Sequence, residues 1–173
     1  MSSTYLSHED SELLRVVLRN CSGESCLEIG VGYGSNLEEL EKRFKIAVGT
    51  DIQRTVAFSS KKSSNLVIAD CASCFRDGVF ELVVSNPPYL PSDKISDIAI
   101  DGGKEGFEVA KKILEDSLRV ASETGKILFL LSSESTERFI EFCQKNNLCF
   151  RIKSEKNLFF ENLIVYEIWK KQE

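Results

Sequence analysis

Short apolar runs alternate with stretches of helical periodicity along the chain. Runs of strand length are Ser25–Ile29, Ile46–Thr50, Asn65–Ala69, Glu81–Ser85 and Lys126–Leu131, with Cys149–Ser154 and Leu163–Trp169 closing the sequence. Between them, helices are predicted to start near Glu9, Asn36, Arg54, Phe107 and Glu134. The first places Leu13, Leu14, Val17 and Leu18 on one face. The fourth does the same with Val109, Ile113, Leu114, Leu118 and Ala121, before a stop signal at Thr124-Gly125. Strands alternating with helices predict parallel pairing in a doubly wound α/β sheet. "EKNLFFEN" between the last two strands leaves no room for a crossover helix, so that pair is antiparallel. The expectation is one domain over residues 1–173, with a seven-stranded, mostly parallel sheet and an antiparallel final strand. Open sheets of this kind bind ligands beyond the carboxyl ends of their strands, and the chemistry-bearing motifs fall at such ends.

The first strand runs into Glu28-Ile29-Gly30-Val31-Gly32-Tyr33-Gly34. Glycines at Gly30, Gly32 and Gly34 let the backbone turn and let a ligand approach it closely. Ser35 or Asn36 is placed to cap the following helix. The spacing is not the dinucleotide fingerprint, no phosphate-binding lysine follows, and Glu28 would repel a pyrophosphate. An acidic loop suits a cation, and S-adenosylmethionine carries a sulfonium and an ammonium group. The second strand ends in Asp51, an acceptor for ribose hydroxyls. The third ends in Asp70, an acceptor for an adenine amino group.

The fourth strand stops at Asn86-Pro87-Pro88-Tyr89. Proline cannot continue a buried strand, because it has no N–H for the ladder. A planar NH2 group is a poor nucleophile, since its lone pair is delocalised. The Asn86 side-chain oxygen and the Pro87 carbonyl can accept its two hydrogens and aim the lone pair. Pro87 and Pro88 stiffen the loop and preorganise those acceptors. Tyr89 is placed to stack on a planar substrate.

These motifs, in this order and spacing, resemble the class I S-adenosylmethionine-dependent methyltransferases that methylate amino groups. Two further segments narrow the likeness. "AIDGGKEGFEVAKKIL" is similar to the stretch after the Asn-Pro-Pro-Tyr motif of HemK-like glutamine methyltransferases of release factors. "YLSHEDSELL" resembles the opening of their short archaeal and eukaryotic forms, with Ser7 where the family usually has proline. The resemblance implies a Rossmann-like fold. It implies cofactor contacts from Ser11, Glu28, Gly30, Gly32, Gly34, Asp51, Asp70, the Cys71 backbone and Asn86. Catalysis would rest on Asn86, Pro87, Pro88 and Tyr89, and the substrate would be the Gly-Gly-Gln glutamine of a class 1 release factor. Short family members also use a small zinc-binding activator subunit, and the unguarded apolar strand Asn65–Ala69 is where it would dock.

Composition trims the alternatives. The chain has 173 residues, 42% hydrophobic and 28% charged, with a formal net charge of −5. That balance disfavours nonspecific nucleic-acid binding. The segment after Tyr89 carries more acid than base, a poor track for phosphates, so adenine-N6 methylation of DNA or RNA ranks below glutamine. A non-catalytic cofactor-binding scaffold is the remaining alternative. No apolar run has the ~20 residues of a membrane helix, and the opening "MSSTYLSHED" has no signal-peptide character, so a cytoplasmic protein is expected. The six cysteines read as reduced core residues. Cys71 and Cys74 have CxxC spacing without a second pair, and His8 stands alone, so no metal is expected.

Overall fold

The computed structural model describes residues 6–53, 65–89, 102–103, 106–159 and 161–172. The helix expected from Arg54 lies outside the described residues. Seven strands form one sheet: β1 (Gly23–Ile29), β2 (Phe44–Asp51), β3 (Leu66–Ile68), β4 (Phe80–Ser85), β5 (Ala121–Ser132), β6 (Leu148–Asn157) and β7 (Asn162–Lys170). Their order is β3-β2-β1-β4-β5-β7-β6. Strands β1 to β5 pair in parallel, while β7 runs antiparallel to both β5 and β6. This is the expected doubly wound sheet with a reversed final strand.

Helices α1 (Leu6–Leu18), α2 (Ser35–Glu41), α3 (Glu108–Val120) and α4 (Thr136–Lys145) flank it. Alternation along the strands feeds two core layers. Ile127, Phe129 and Leu131 join Ala110, Leu114 and Phe139 from α3 and α4 on one face. Leu128 and Leu130 join Leu14, Leu18, Leu37 and Leu40 from α1 and α2 on the other. Because β5 is buried on both sides, it reads as a continuous apolar run and not as an alternation.

One boundary differs from the sequence expectation. Helix α3 ends at Val120, and Ala121 is already extended, with φ −65° and ψ 137°. Thr124-Gly125 therefore lies inside β5 and stops nothing. Val120 and Ala121 are buried against the sheet, and Ala121 pairs with Phe80, so tertiary pairing ends the helix before the glycine is reached. The register shifts between this pair and the next, Leu82 with Lys126.

The antiparallel end of the sheet is held by an aromatic cluster. The Phe139 ring centroid lies 4.3 Å from Tyr166 and 5.1 Å from Phe150. Phe139 is fully buried. Replacing it with alanine is expected to cost about 3–5 kcal/mol, read as a lower urea midpoint. A loss under ~1 kcal/mol would mean that α4 is not a principal anchor of β6 and β7.

Candidate active site

Strands β1 and β4 are neighbours at which the strand order reverses, so a crevice opens beyond Ile29 and Ser85, their last paired residues. Ser85 Oγ donates a buried 2.8 Å bond to the Ile29 carbonyl, tying the two strand ends together. The glycine loop leaves from one end and Asn86 from the other.

Gly30, Gly32 and Gly34 all have positive φ, at 79°, 52° and 83°. A Cβ at Gly30 or Gly32 would meet no atom within 4 Å, so the concave side of the loop is open to a ligand. The loop hangs on the end of β2: Gly30 N–H donates to the Thr50 carbonyl at 2.8 Å, and Gly32 N–H to Asp51 Oδ2 at 3.0 Å. Asp51 Oδ1 accepts from Gln53 N–H at 2.8 Å. One carboxylate oxygen thus faces the glycine loop and the other holds the chain that leaves β2.

The cap of α2 is not where the sequence put it. Gly34 occupies the cap position without a side-chain bond, and Ser35 and Asn36 already lie in the helix. Glu28 does the capping from the sheet: its carboxylate accepts from the Asn36 side chain and from Leu37 N–H. Glu28 is 1% exposed, and its Oε2 has no partner among the described residues. Burial pushes its pKa up to about 8, against the lowering effect of these hydrogen bonds, and the nearby Asp51 charge raises it further.

Asp70 is exposed beyond β3 and bonds Lys112 Nζ of α3 at 2.6 Å. That bond holds its carboxyl below the usual range. Cys71 Sγ donates to Asp70 Oδ1 at 3.4 Å, and the Cys71 backbone is left-handed, with φ 50°. Such a conformation is strained for cysteine, and α3 holds the turn in place. Ala72 N–H donates to Asp116 at 2.6 Å, and Arg119 donates to the Ala72 and Phe75 carbonyls at 2.9 and 2.8 Å.

Asn86 is half-buried, and its Oδ1 is buried without a partner among the described residues. Pro87 is buried and Pro88 half-buried. Tyr89 is 8% exposed. Its ring sits in the core layer of α1 and α2, and its hydroxyl donates to Asp10 Oδ2 at 2.5 Å. The tyrosine therefore braces the loop from below and offers no open face for stacking. Burial and the Asp10 carboxylate raise its pKa. Gly102 supports the same loop from outside, since a Cβ there would lie 2.9 Å from Tyr89 Cα and 2.8 Å from the Gly106 carbonyl. Most of the segment between Tyr89 and Gly106 lies outside the described residues. Ser11 is half-buried on α1.

Asp10, Lys112, Asp116 and Arg119 were not singled out in the sequence. Asp10 stands in the opening segment that carried the resemblance, which was its one signal. The others lie on a helix face that periodicity marks only as polar. All six cysteines are free thiols, and no trio of metal-ligating side chains occurs among the described residues. No helix among the described residues is long and apolar enough to cross a membrane.

No family model matches the chain. A Methanocaldococcus jannaschii protein, provisionally named a protein N5-glutamine methyltransferase, is 28% identical over 180 residues, covering 96% of this chain and 91% of that protein. The release factor glutamine methyltransferase of Thermodesulfovibrio yellowstonii is 23% identical over 128 residues, covering 64% of this chain and 44% of its own length. Among solved structures, the E. cuniculi Mtq2–Trm112 complex, responsible for methylation of the translation termination factor eRF1, aligns with a TM-score of 0.79. It is 26% identical and covers 94% of this chain and 96% of that one. The fold is that of the Rossmann-like methyltransferases, and the likeness to glutamine methyltransferases read from the motifs extends over nearly the whole chain.

Glu28 makes stability depend on pH. Its pKa is raised on folding, so the folded chain keeps the proton over a range where the unfolded chain has lost it. Stability contributed at this position therefore falls as pH climbs from 4.5 towards about 8. Glu28→Gln should become progressively more stable relative to wild type across that window, measured by urea unfolding at several pH values. Parallel curves for the two proteins would show that Glu28 ionises normally.

Proposed function

We propose that this chain transfers a methyl group from S-adenosylmethionine to a glutamine side-chain amide, that of the Gly-Gly-Gln motif in a class 1 release factor. The observation that carries the reading is the Asn86 oxygen, a buried acceptor without a donor beside the open glycine loop. Leaving such an atom unpaired costs about 1–3 kcal/mol, and a substrate NH2 restores the bond. Proteins with this overall likeness are named for glutamine methylation.

The residues present fit the cofactor. Gly30 and Gly32 leave room against the backbone, Asp51 supplies negative charge at the loop, and a cation placed there would favour ionisation of the buried Glu28. Asp51 would accept from ribose hydroxyls, Asp70 and the Cys71 backbone would meet the adenine, and Ser11 and Asn86 would border the remainder. When bound, S-adenosylmethionine supplies an electrophilic methyl group on a sulfonium. Asn86 Oδ1 and the Pro87 carbonyl would accept the two amide hydrogens and direct the nitrogen lone pair at that carbon. The nitrogen would gain a C–N bond as the methyl–sulfonium bond breaks and its electron pair returns to sulfur, and it would shed one of these hydrogens as a proton to water. Pro88 has no N–H, so it cannot compete for neighbouring acceptors, and the Tyr89–Asp10 bond fixes the loop that carries them.

A partner fits the same reading. Among the described residues, strand β3 pairs on one side only, and Val67 and Ile68 on it and Ile46 and Ile52 near it are exposed. We place a small subunit of the zinc-binding activator type on this edge, where strand addition would satisfy the free ladder. The six free thiols and a translation substrate accord with the cytoplasm.

Asn86→Ala should lower methyl transfer to a release factor by about 100-fold or more, followed by mass spectrometry of the Gly-Gly-Gln peptide. Calorimetry should show a far smaller loss of cofactor affinity, because Asn86 only borders the cofactor while it holds the substrate amide directly. Ready methylation of DNA adenine, with the release factor untouched, would replace this reading with the nucleic-acid one. For the partner, hydrogen exchange at residues 65–69 should slow when the subunit is added. Unchanged exchange there, in an active complex, would move the interface elsewhere.

A further inference from the structure

Lys112, Asp116 and Arg119 recur along α3 at helical spacing, so they share one face of it. Ala110, Ile113, Leu114 and Ser117 are buried against the sheet. The polar face reaches the turn that follows β3. Arg119 donates to the Phe75 and Ala72 carbonyls at 2.8 and 2.9 Å, and to Asp77 Oδ1 at 2.8 Å. Asp116 accepts from Ala72 N–H at 2.6 Å and, through its other oxygen, from Arg119 Nε at 2.7 Å. Lys112 Nζ donates to Asp70 Oδ2 at 2.6 Å. One helix face therefore grips the chain from Asp70 to Asp77.

Asp116 and Arg119 hold main-chain groups of the turn, whereas Lys112 holds only a side chain. Its side chain and that of Asp70 are 61% and 52% exposed, and pairs so open to water contribute little to stability. What the pair fixes is the direction of a carboxylate. An exposed aspartate without donors samples several rotamers. Here Lys112 takes Oδ2, and Cys71 Sγ donates to Oδ1 at 3.4 Å. A carboxylate oxygen has two lone-pair sites, so each keeps one for a ligand donor. The lysine also holds the carboxyl below its ordinary range, against its own partial burial. Asp70 stands beside Asp51: Ile68 pairs with Asp51, and Ala69 N–H donates to the Asp51 carbonyl at 3.1 Å. Their strands lie roughly 5 Å apart, so the two carboxylates can serve neighbouring parts of one nucleoside.

We infer that Lys112 is a positioning residue for base recognition: it aims the Asp70 carboxylate at the 6-amino group of the cofactor's adenine, and so sets the preference for an amino-bearing purine. Lys112 does not touch the base and acts through Asp70 alone. An ionised carboxylate only accepts, so a purine with an amino group at that edge gains a bond and one without it gains none. The preference lasts only while the carboxylate stays where the amino group arrives. This inference rests on the S-adenosylmethionine reading above and adds the residue that gives that reading its selectivity for adenine.

The test is calorimetry of the full chain with two ligands: S-adenosylhomocysteine, and its purine analogue that lacks only the 6-amino group. Wild type should bind the first about tenfold more tightly, the scale of one hydrogen bond to a charged group. In Lys112→Met that ratio should fall below about threefold, through weaker binding of S-adenosylhomocysteine and unchanged binding of the analogue. Lys112→Arg keeps a charged donor and should keep the wild-type ratio. A merely structural lysine would weaken both ligands equally and leave the ratio intact, which would overturn the proposal. Tighter binding of S-adenosylhomocysteine by Lys112→Met would overturn it too, since the lysine would then compete with the base. If Lys112→Met unfolds, Lys112→Leu is judged by the same ratio. A wild-type chain that binds both ligands alike would take Asp70 out of the adenine site, and the role of Lys112 with it. A wild-type chain that binds neither would remove the cofactor reading itself. A wild-type preference that persists in Lys112→Met removes the positioning role alone.

Discussion

The buried bond from Ser85 Oγ to the Ile29 carbonyl is the constraint on which the site depends. It lies where β1 and β4 stop pairing and their chains diverge. From Ile29 the backbone turns at once into Gly30, and from Ser85 into Asn86. The glycine loop and the Asn86 oxygen are therefore each one residue from the same hydrogen bond. Slippage between the two strands would shift one relative to the other, and an error of 1 Å in a reacting geometry can cost about 100-fold in rate. Asp51 acts from the next strand, holding the loop through Gly32, so the glycines are fixed from both flanks.

The electrostatics of this crevice point the same way as its shape. Glu28 is buried, carries an unpartnered oxygen and faces the repulsion of Asp51. Two acids at the root of one loop raise the cost of ionising the buried one. A cation placed at the loop relieves that cost, whereas an anion compounds it. The loop thus selects against a pyrophosphate and for a sulfonium or ammonium. Glu28 also satisfies Leu37 N–H, so the residue whose ionisation a bound cation would favour also closes the start of α2.

Much of this was legible in the sequence because the sheet is buried on both faces. Apolar runs then mark strands within a few residues, and each motif falls at a strand end that the runs define. The sequence also carried the Asn86 acceptor, since a strand followed by two prolines must stop there. That its oxygen is buried and unpaired was not legible, because burial comes from elements distant in the chain. The Tyr89–Asp10 bond spans 79 positions and the Lys112–Asp70 pair 42, and periodicity holds no trace of either. Tyr89 was therefore read as a stacking surface, when its hydroxyl turns it towards α1. The end of α3 was misplaced for a related reason. A local stop signal at Thr124-Gly125 was outweighed by the pairing of Ala121 with Phe80.

Among the described residues, the large exposed apolar side chains, apart from Val16 and Ile152, fall into two groups. Ile46, Ile52, Val67 and Ile68 gather at and near the β3 edge, and Tyr33 and Phe159 stand at the carboxyl end of the sheet. The strand order sets β3 at one edge and the β6–β7 hairpin at the other, with β1 and β4 near the middle. A subunit added to β3 would extend the sheet away from the hairpin and leave that side open. Such an extension would leave the crevice beyond β1 and β4 uncovered, because these strands lie inside the sheet and the glycine loop and Asn86 leave from their carboxyl ends.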